Sequence, residues 1–128
     1  MRNKLLIVED DSGVMDMLAS VFEKEFEIHT AENGVIAYDM FFEVRPNIIV
    51  TDIMMPKMDG ADLTRRIKLI SPVTTIFALS GAGNNKLQLA SGMGANGTFE
   101  KPGEIIPLMK AVNNLSKSEF AEIRLINV

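Results

Sequence analysis

The chain has no cysteine and a single histidine, His29. Without thiols, disulfide frameworks, thiolate zinc sites, iron–sulfur clusters and cysteine nucleophiles are excluded. One imidazole likewise rules out a multi-histidine metal centre. Long apolar runs are missing: uninterrupted stretches reach only four residues, as in Leu5–Val8, against the ~20 that a bilayer-spanning helix needs. The basic start Met1-Arg2-Asn3-Lys4 meets Glu9-Asp10-Asp11 too soon for a signal-peptide core, so a cytoplasmic location is expected. Excess positive charge is also absent. Thirteen Lys and Arg against seventeen Asp and Glu give a net charge of −4, which offers no basic stripe for nucleic acid.

What is present is 128 residues, 47% hydrophobic and 23% charged. That is an ordinary globular composition with room for one domain. The charge is uneven: residues 1–64 carry 5 basic and 13 acidic side chains, and residues 65–128 carry 8 and 4. The first half therefore collects carboxylates.

Apolar bursts alternate with amphipathic stretches. Leu5–Val8 reads as a strand buried on both faces. Val14, Met17, Leu18, Val21 and Phe22 then fall on one face of a helix, with Asp11 or Ser12 as its cap. Phe26–Ala31 is a second strand. Asn33-Gly34 opens a second helix whose apolar positions include Ile36, Ala37, Met40 and Phe41, and Pro46 blocks its continuation. Ile48-Ile49-Val50 is a third strand running into Asp52. Leu63, Ile67 and Ile70 mark a third helix, closed by Ser71-Pro72. Thr75–Ser80, a helix over 85–93, Thr98–Glu100 and a helix over Glu104–Lys117 complete the alternation. Gly81-Ala82-Gly83-Asn84 predicts a mobile loop after the fourth strand. Five strands alternating with five helices point to a doubly wound α/β fold with a five-stranded parallel sheet. The domain spans residues 3–117, and residues 118–128 form a C-terminal tail of unassigned role.

Open α/β sheets place their sites at the carboxyl ends of the strands. Those ends hold Glu9, Asp10 and Asp11, then Asp52, Ser80 and Lys101. If the strand order is 2-1-3-4-5, they share one rim. Clustered carboxylates raise one another's pKa unless a cation joins them. Oxygen donors without His or Cys favour a hard cation, and a few carboxylates with water suit Mg²⁺. A metal beside Asp52 would neutralise an incoming phosphoryl group while the carboxylate attacks phosphorus. Lys101 and the Ser80 hydroxyl would contact phosphoryl oxygens by charge and by hydrogen bond.

Five motifs then fall in order: Leu-Ile-Val-Glu9-Asp10-Asp11, Ile-Ile-Val-Thr-Asp52-Ile-Met-Met-Pro56, Met58-Asp59-Gly60, Ala78-Leu79-Ser80-Gly81 and Phe99-Glu100-Lys101-Pro102. Over residues 3–117 the chain resembles a response-regulator receiver domain, the CheY-like family of two-component signalling, with its (βα)5 flavodoxin-like fold and strand order 2-1-3-4-5. The resemblance implies Asp52 as phosphoacceptor. It implies that Asp10 holds Mg²⁺ directly, Glu9 through water, and the Met54 backbone carbonyl as a third protein ligand. Ser80 corresponds to the switch hydroxyl and Lys101 to the lysine on the phosphoryl group. The Lys101–Pro102 bond corresponds to one that is cis in the family. The implied phosphodonor is a histidine kinase or histidine phosphotransfer protein, and the implied output is an unidentified effector or a homodimer formed on phosphorylation. Such a domain catalyses only its own phosphorylation and dephosphorylation; it is a switch rather than a metabolic enzyme.

One position departs from the family. Where an aromatic often couples to the switch hydroxyl, this chain has Thr98, and strand alternation turns Phe99 to the other face. Plainer readings exist for single residues: Asp52 as a cap, Lys101 as a solvated lysine, Asp11 as a helix cap rather than an extra metal acid. His29 reads as structural or solvated. Gly92-Met93-Gly94-Ala95-Asn96-Gly97 matches a dinucleotide fingerprint by letter but follows a helix and precedes a strand, the reverse of what that fingerprint needs. Two rival functions remain. One is a pseudo-receiver that binds partners without phosphorylation. The other is a haloacid-dehalogenase-like phosphatase, disfavoured because Met54 stands where its second Asp belongs.

Overall fold

The apolar runs of Leu5–Val8, Ile48–Val50 and Thr75–Ser80 become the three central strands because each can bury side chains on both faces of a sheet, while the more polar Phe26–Ala31 and Gly97–Lys101 take its edges. In the computed structural model, which describes residues 2–81 and 86–115, the order is β1 (Asn3–Val8), α1 (Ser12–Phe22), β2 (Phe26–Ala31), α2 (Gly34–Val44), β3 (Ile48–Asp52), α3 (Gly60–Ile70), β4 (Thr75–Gly81), α4 (Lys86–Gly92), β5 (Gly97–Lys101) and α5 (Ile105–Asn114). The sheet is parallel throughout, ordered β2-β1-β3-β4-β5. Both the fold class and the strand order expected from the sequence are met.

Alternate residues of the central strands feed two cores. Leu5, Ile7, Ile48 and Val50 face Leu18 and Phe22 of α1 and Leu108 and Val112 of α5. Leu6, Val8, Ile49 and Ile76 face Ala37 and Phe41 of α2 and Leu63 and Ile67 of α3. Each such aliphatic, fully buried, contributes roughly 1.5–3 kcal/mol. A smaller cluster of Ile53, Ala61, Ala78 and Ala90 seals the sheet beneath the site rim.

Helix starts are fixed by short polar caps just past the strand ends. The Asp11, Asn33 and Asp59 side chains accept from the backbone N–H groups of Val14, Ile36 and Asp62 at 3.0, 2.9 and 2.8 Å. Asp11, not Ser12, therefore caps α1. Met17, expected on the apolar face of the first helix, is instead exposed, as are Ile36 and Ile70 among the apolar positions that mark the second and third. In α2 the cause is plain: Val35, Ile36, Tyr38, Met40 and Phe42 surround the helix with apolar surface, so periodicity cannot choose the buried side. β5 runs Gly97–Lys101, beyond the expected three residues, because its full length pairs with Phe77–Gly81.

Gly92–Gly97 links α4 to β5 as a turn: Gly94 takes φ +109° and Ala95 N–H donates to the Ala90 carbonyl at 3.0 Å. The mobile loop expected after Gly81, the last turn of the fifth helix and the 118–128 tail lie outside the described residues. Among the described residues no helix is long and apolar enough to cross a membrane.

Candidate phosphoryl-transfer and metal site

Three strand ends and the loops after them bring the chemistry together. Glu9 follows β1 and is 2% exposed, Asp52 ends β3 at 5%, and Ser80 lies near the end of β4 at 0%. Asp10 is exposed. One carboxylate oxygen from each of Glu9, Asp10 and Asp52 lies within 4.8 Å of the others. From β5, the Lys101 ammonium reaches 3.0 Å from Glu9 Oε1 and 3.3 Å from Asp52 Oδ2. The Lys101–Pro102 peptide is cis.

Charge balance in this cluster is unequal, since one ammonium serves two buried acids. Burial, then the facing Asp52 charge, raises Glu9 to about 7, against the lowering hydrogen bonds from Lys101 and the Asp11 backbone N–H. Burial would pull the Lys101 ammonium down, but its Glu9 hydrogen bond and the Asp52 and Glu9 charges outweigh that and hold it above the ordinary lysine value. A buried carboxylate held near neutrality is poised to ionise when a further cation arrives. The donor set is oxygen only, with two carboxylates buried and one open to solvent. Those residues fit a small hard cation that keeps some of its water.

The Ser80 hydroxyl is fully buried and finds no hydrogen-bond partner among the described residues. Thr98 sits opposite Ala78 while Ser80 sits opposite Glu100, so Thr98 and Ser80 lie on the same face of the sheet, two residues apart along the strands. Phe99 is opposite Leu79 and packs edge-on against Phe77, 5.7 Å between centroids, in the α1–α5 core. Asp11 directs its carboxylate to the α1 cap. Met54 is exposed in the loop after β3. That loop returns to α3 through the Ile53 carbonyl, which accepts from the Met55 and Gly60 N–H groups at 3.1 and 2.9 Å.

Gly60, in the Met58-Asp59-Gly60 motif, has a steric role that the motif alone does not state. A Cβ there would collide with the Asp52 carbonyl oxygen and stand 2.8 Å from Ile53 Cα. Only glycine lets α3 start directly against the backbone of Asp52. Lys57, in the same loop, takes φ +69°, a left-handed conformation uncommon outside glycine. Neither feature has a signal in the sequence beyond the glycine itself. His29 lies mid-strand in β2, its Nε2 2.6 Å from Glu27 Oε2, away from the site.

A five-stranded 2-1-3-4-5 sheet with acids on β1 and β3 and a lysine on β5 defines a class of signalling domain, and the chain belongs to the response regulator receiver domain family, which matches residues 5–113. Chemotaxis protein CheY of Halobacterium salinarum is 33% identical over 117 residues, covering 90% of this chain and 98% of that protein. Sporulation initiation phosphotransferase F of Bacillus subtilis is 32% identical over 114 residues, covering 88% and 92%. Among solved structures, a response regulator receiver domain protein from Clostridium thermocellum superposes with a TM-score of 0.82 at 28% identity, covering 93% of this chain and 98% of that one.

Proposed function

We propose that residues 3–117 form a phosphoacceptor receiver that takes a phosphoryl group onto Asp52 from a phosphohistidine on a histidine kinase or phosphotransfer protein. The observation that carries this reading is the packing of Glu9, Asp10 and Asp52 within 4.8 Å of one another, with Lys101 on Glu9 and Asp52. In the transfer, an Asp52 oxygen forms the new bond to phosphorus as the donor's N–P bond breaks, and the imidazole leaves carrying a proton. Asp10 and Glu9, with Asp52 and the Met54 carbonyl, would hold Mg²⁺, which when bound supplies charge neutralisation for the phosphoryl oxygens. Lys101 gives up part of its contact with Asp52 to meet the incoming oxygens. The Ser80 hydroxyl, without a partner among the described residues, gains one in a phosphoryl oxygen. That gain draws β4 toward Asp52 and biases the neighbouring α4–β5–α5 surface.

The role is that of a cytoplasmic switch, not of a metabolic enzyme. Intact mass after incubation with acetyl phosphate tests it, with and without Mg²⁺, for wild type and Asp52→Asn. One phosphoryl adduct that needs both Mg²⁺ and Asp52 is expected. No adduct from acetyl phosphate or from a phosphorylated donor protein would instead favour the pseudo-receiver, a partner-binding domain with a metal site but no switch.

A further inference from the structure

The sheet has two edges, and they are finished differently. At β5 the Glu100 backbone is closed off: its N–H donates to Glu104 Oε1 at 2.9 Å and its carbonyl accepts from Glu104 N–H at 2.8 Å. At β2 nothing comparable occurs among the described residues. This strand, Phe26-Glu27-Ile28-His29-Thr30-Ala31, pairs only with β1, in an unbroken register of six residues. It has no proline, no lysine and no bulge, the usual devices that keep an edge from pairing.

Backbone direction settles which groups are offered. The Ala31 carbonyl accepts from Glu9 N–H at 3.0 Å, so Ala31 turns its peptide groups toward β1. By strand alternation so do Glu27 and His29. Phe26, Ile28 and Thr30 therefore aim N–H and C=O outward. An antiparallel neighbour must oppose outward residues to outward residues, which restricts a second copy of β2 to few registers. Ile28 opposite Ile28 lets Phe26, Ile28 and Thr30 each exchange both hydrogen bonds, Phe26 with Thr30 and Ile28 with itself across a two-fold axis. The same register sets Glu27 opposite the partner's His29, in the non-hydrogen-bonded position where side chains approach most closely. It also brings Lys24 toward the partner's Glu32. Sliding by one step either way opposes Glu27 to Glu27 or His29 to His29.

We propose that the β2 edge is a homodimer interface, in which two copies pair β2 antiparallel about Ile28 to make one continuous ten-stranded sheet. The occupant is a second copy of this chain because, of the few registers the backbone permits, the one centred on Ile28 opposes Glu27 to His29 and Lys24 to Glu32. Ile28, already packed against the α1 core, meets its own symmetry mate and extends that apolar face. Two strands, β1 and β3, separate this edge from β4, so the pairing does not require modification of Asp52.

Sedimentation velocity across a concentration series of the full chain tests this, with two charge variants. E27K/H29K puts lysine opposite lysine, and H29E puts glutamate opposite glutamate. Each is expected to weaken self-association by at least about tenfold, since like charges directly opposite disfavour pairing. Mixed in equal amounts, the two variants oppose lysine to glutamate at every such pair and should recover dimer. That recovery also shows that both are folded. In addition, Ile28→Pro removes an outward N–H that β1 does not use and should abolish the dimer. Hydrogen exchange at Ile28 and Thr30 should slow as the wild-type concentration rises. A wild type that stays monomeric at its highest soluble concentration overturns the proposal. So does a dimer whose Kd neither charge variant changes, or a variant mixture that stays monomeric.

Discussion

Titrating the metal-free protein against Glu9→Gln reads the charge balance of the site directly. In the unfolded chain Glu9 ionises near 4.5, whereas burial and Asp52 hold it at about 7 in the fold. Below pH 4.5 both states keep the proton and nothing is lost. Between the two values the unfolded state releases a proton that the folded state retains, so stability falls as pH rises. A separation of ~2.5 units at 1.36 kcal/mol each gives about 3 kcal/mol, fully expressed just above pH 7. In a domain of this size that is on the order of 10 °C in melting temperature. The glutamine variant cannot titrate at this position. Wild type minus variant, measured by denaturant unfolding in chelator, should therefore decline by about 3 kcal/mol from pH 4 to 8. Excess Mg²⁺ should stabilise the wild type more at pH 8 than at pH 5, because a bound cation needs the carboxylate ionised. A difference curve that stays flat across that range would refute the account of Glu9.

Four further substitutions have expected outcomes. Ser80→Ala removes a buried hydroxyl without a partner, so the resting protein should gain about 1 kcal/mol in chemical denaturation while its phosphorylated form loses that advantage. Gly60→Ala drives a methyl into the Asp52 and Ile53 backbone; unfolding should show a loss of roughly 1–3 kcal/mol, with slower labelling of Asp52 by acetyl phosphate. Asp11→Ala removes the α1 cap and should cost about 1 kcal/mol, yet leave Mg²⁺ affinity by calorimetry unchanged. Asp10→Ala should do the opposite, weakening Mg²⁺ with little change in stability. A fall in Mg²⁺ affinity for Asp11→Ala would make that acid part of the metal site.

Much of the fold could be read in advance because parallel strands buried on both faces leave blunt apolar signatures. Leu5–Val8 and Ile48–Val50 announce themselves, and the acids after them follow from where open sheets place their sites. What was not legible depended on long-range geometry. Apolar residues all round α2 leave its buried side undetermined by the pattern, so nothing there separates the exposed Ile36 from the buried Phe41. Two adjacent cap formers, Asp11 and Ser12, cannot be ranked until the Val14 N–H selects one. Gly60 looks like any turn glycine until α3 is seen to press on Asp52. The edge pairing offered by β2 depends on which peptide groups face outward, and an isolated strand sequence does not say.

The contact between Lys101 and Glu9 joins residues 92 positions apart, and this has a consequence for how the molecule is made. Synthesis runs from the N-terminus, so the acids after β1 and at the end of β3 are made before the lysine of β5. Until Lys101 is in place, neither Glu9 nor Asp52 has the ammonium that the fold sets against them. The last strand is thus also the one that supplies the neutralising charge. A chain that stops short of it holds an acid cluster with no fixed counter-charge, so a competent centre is available only once synthesis has passed residue 101.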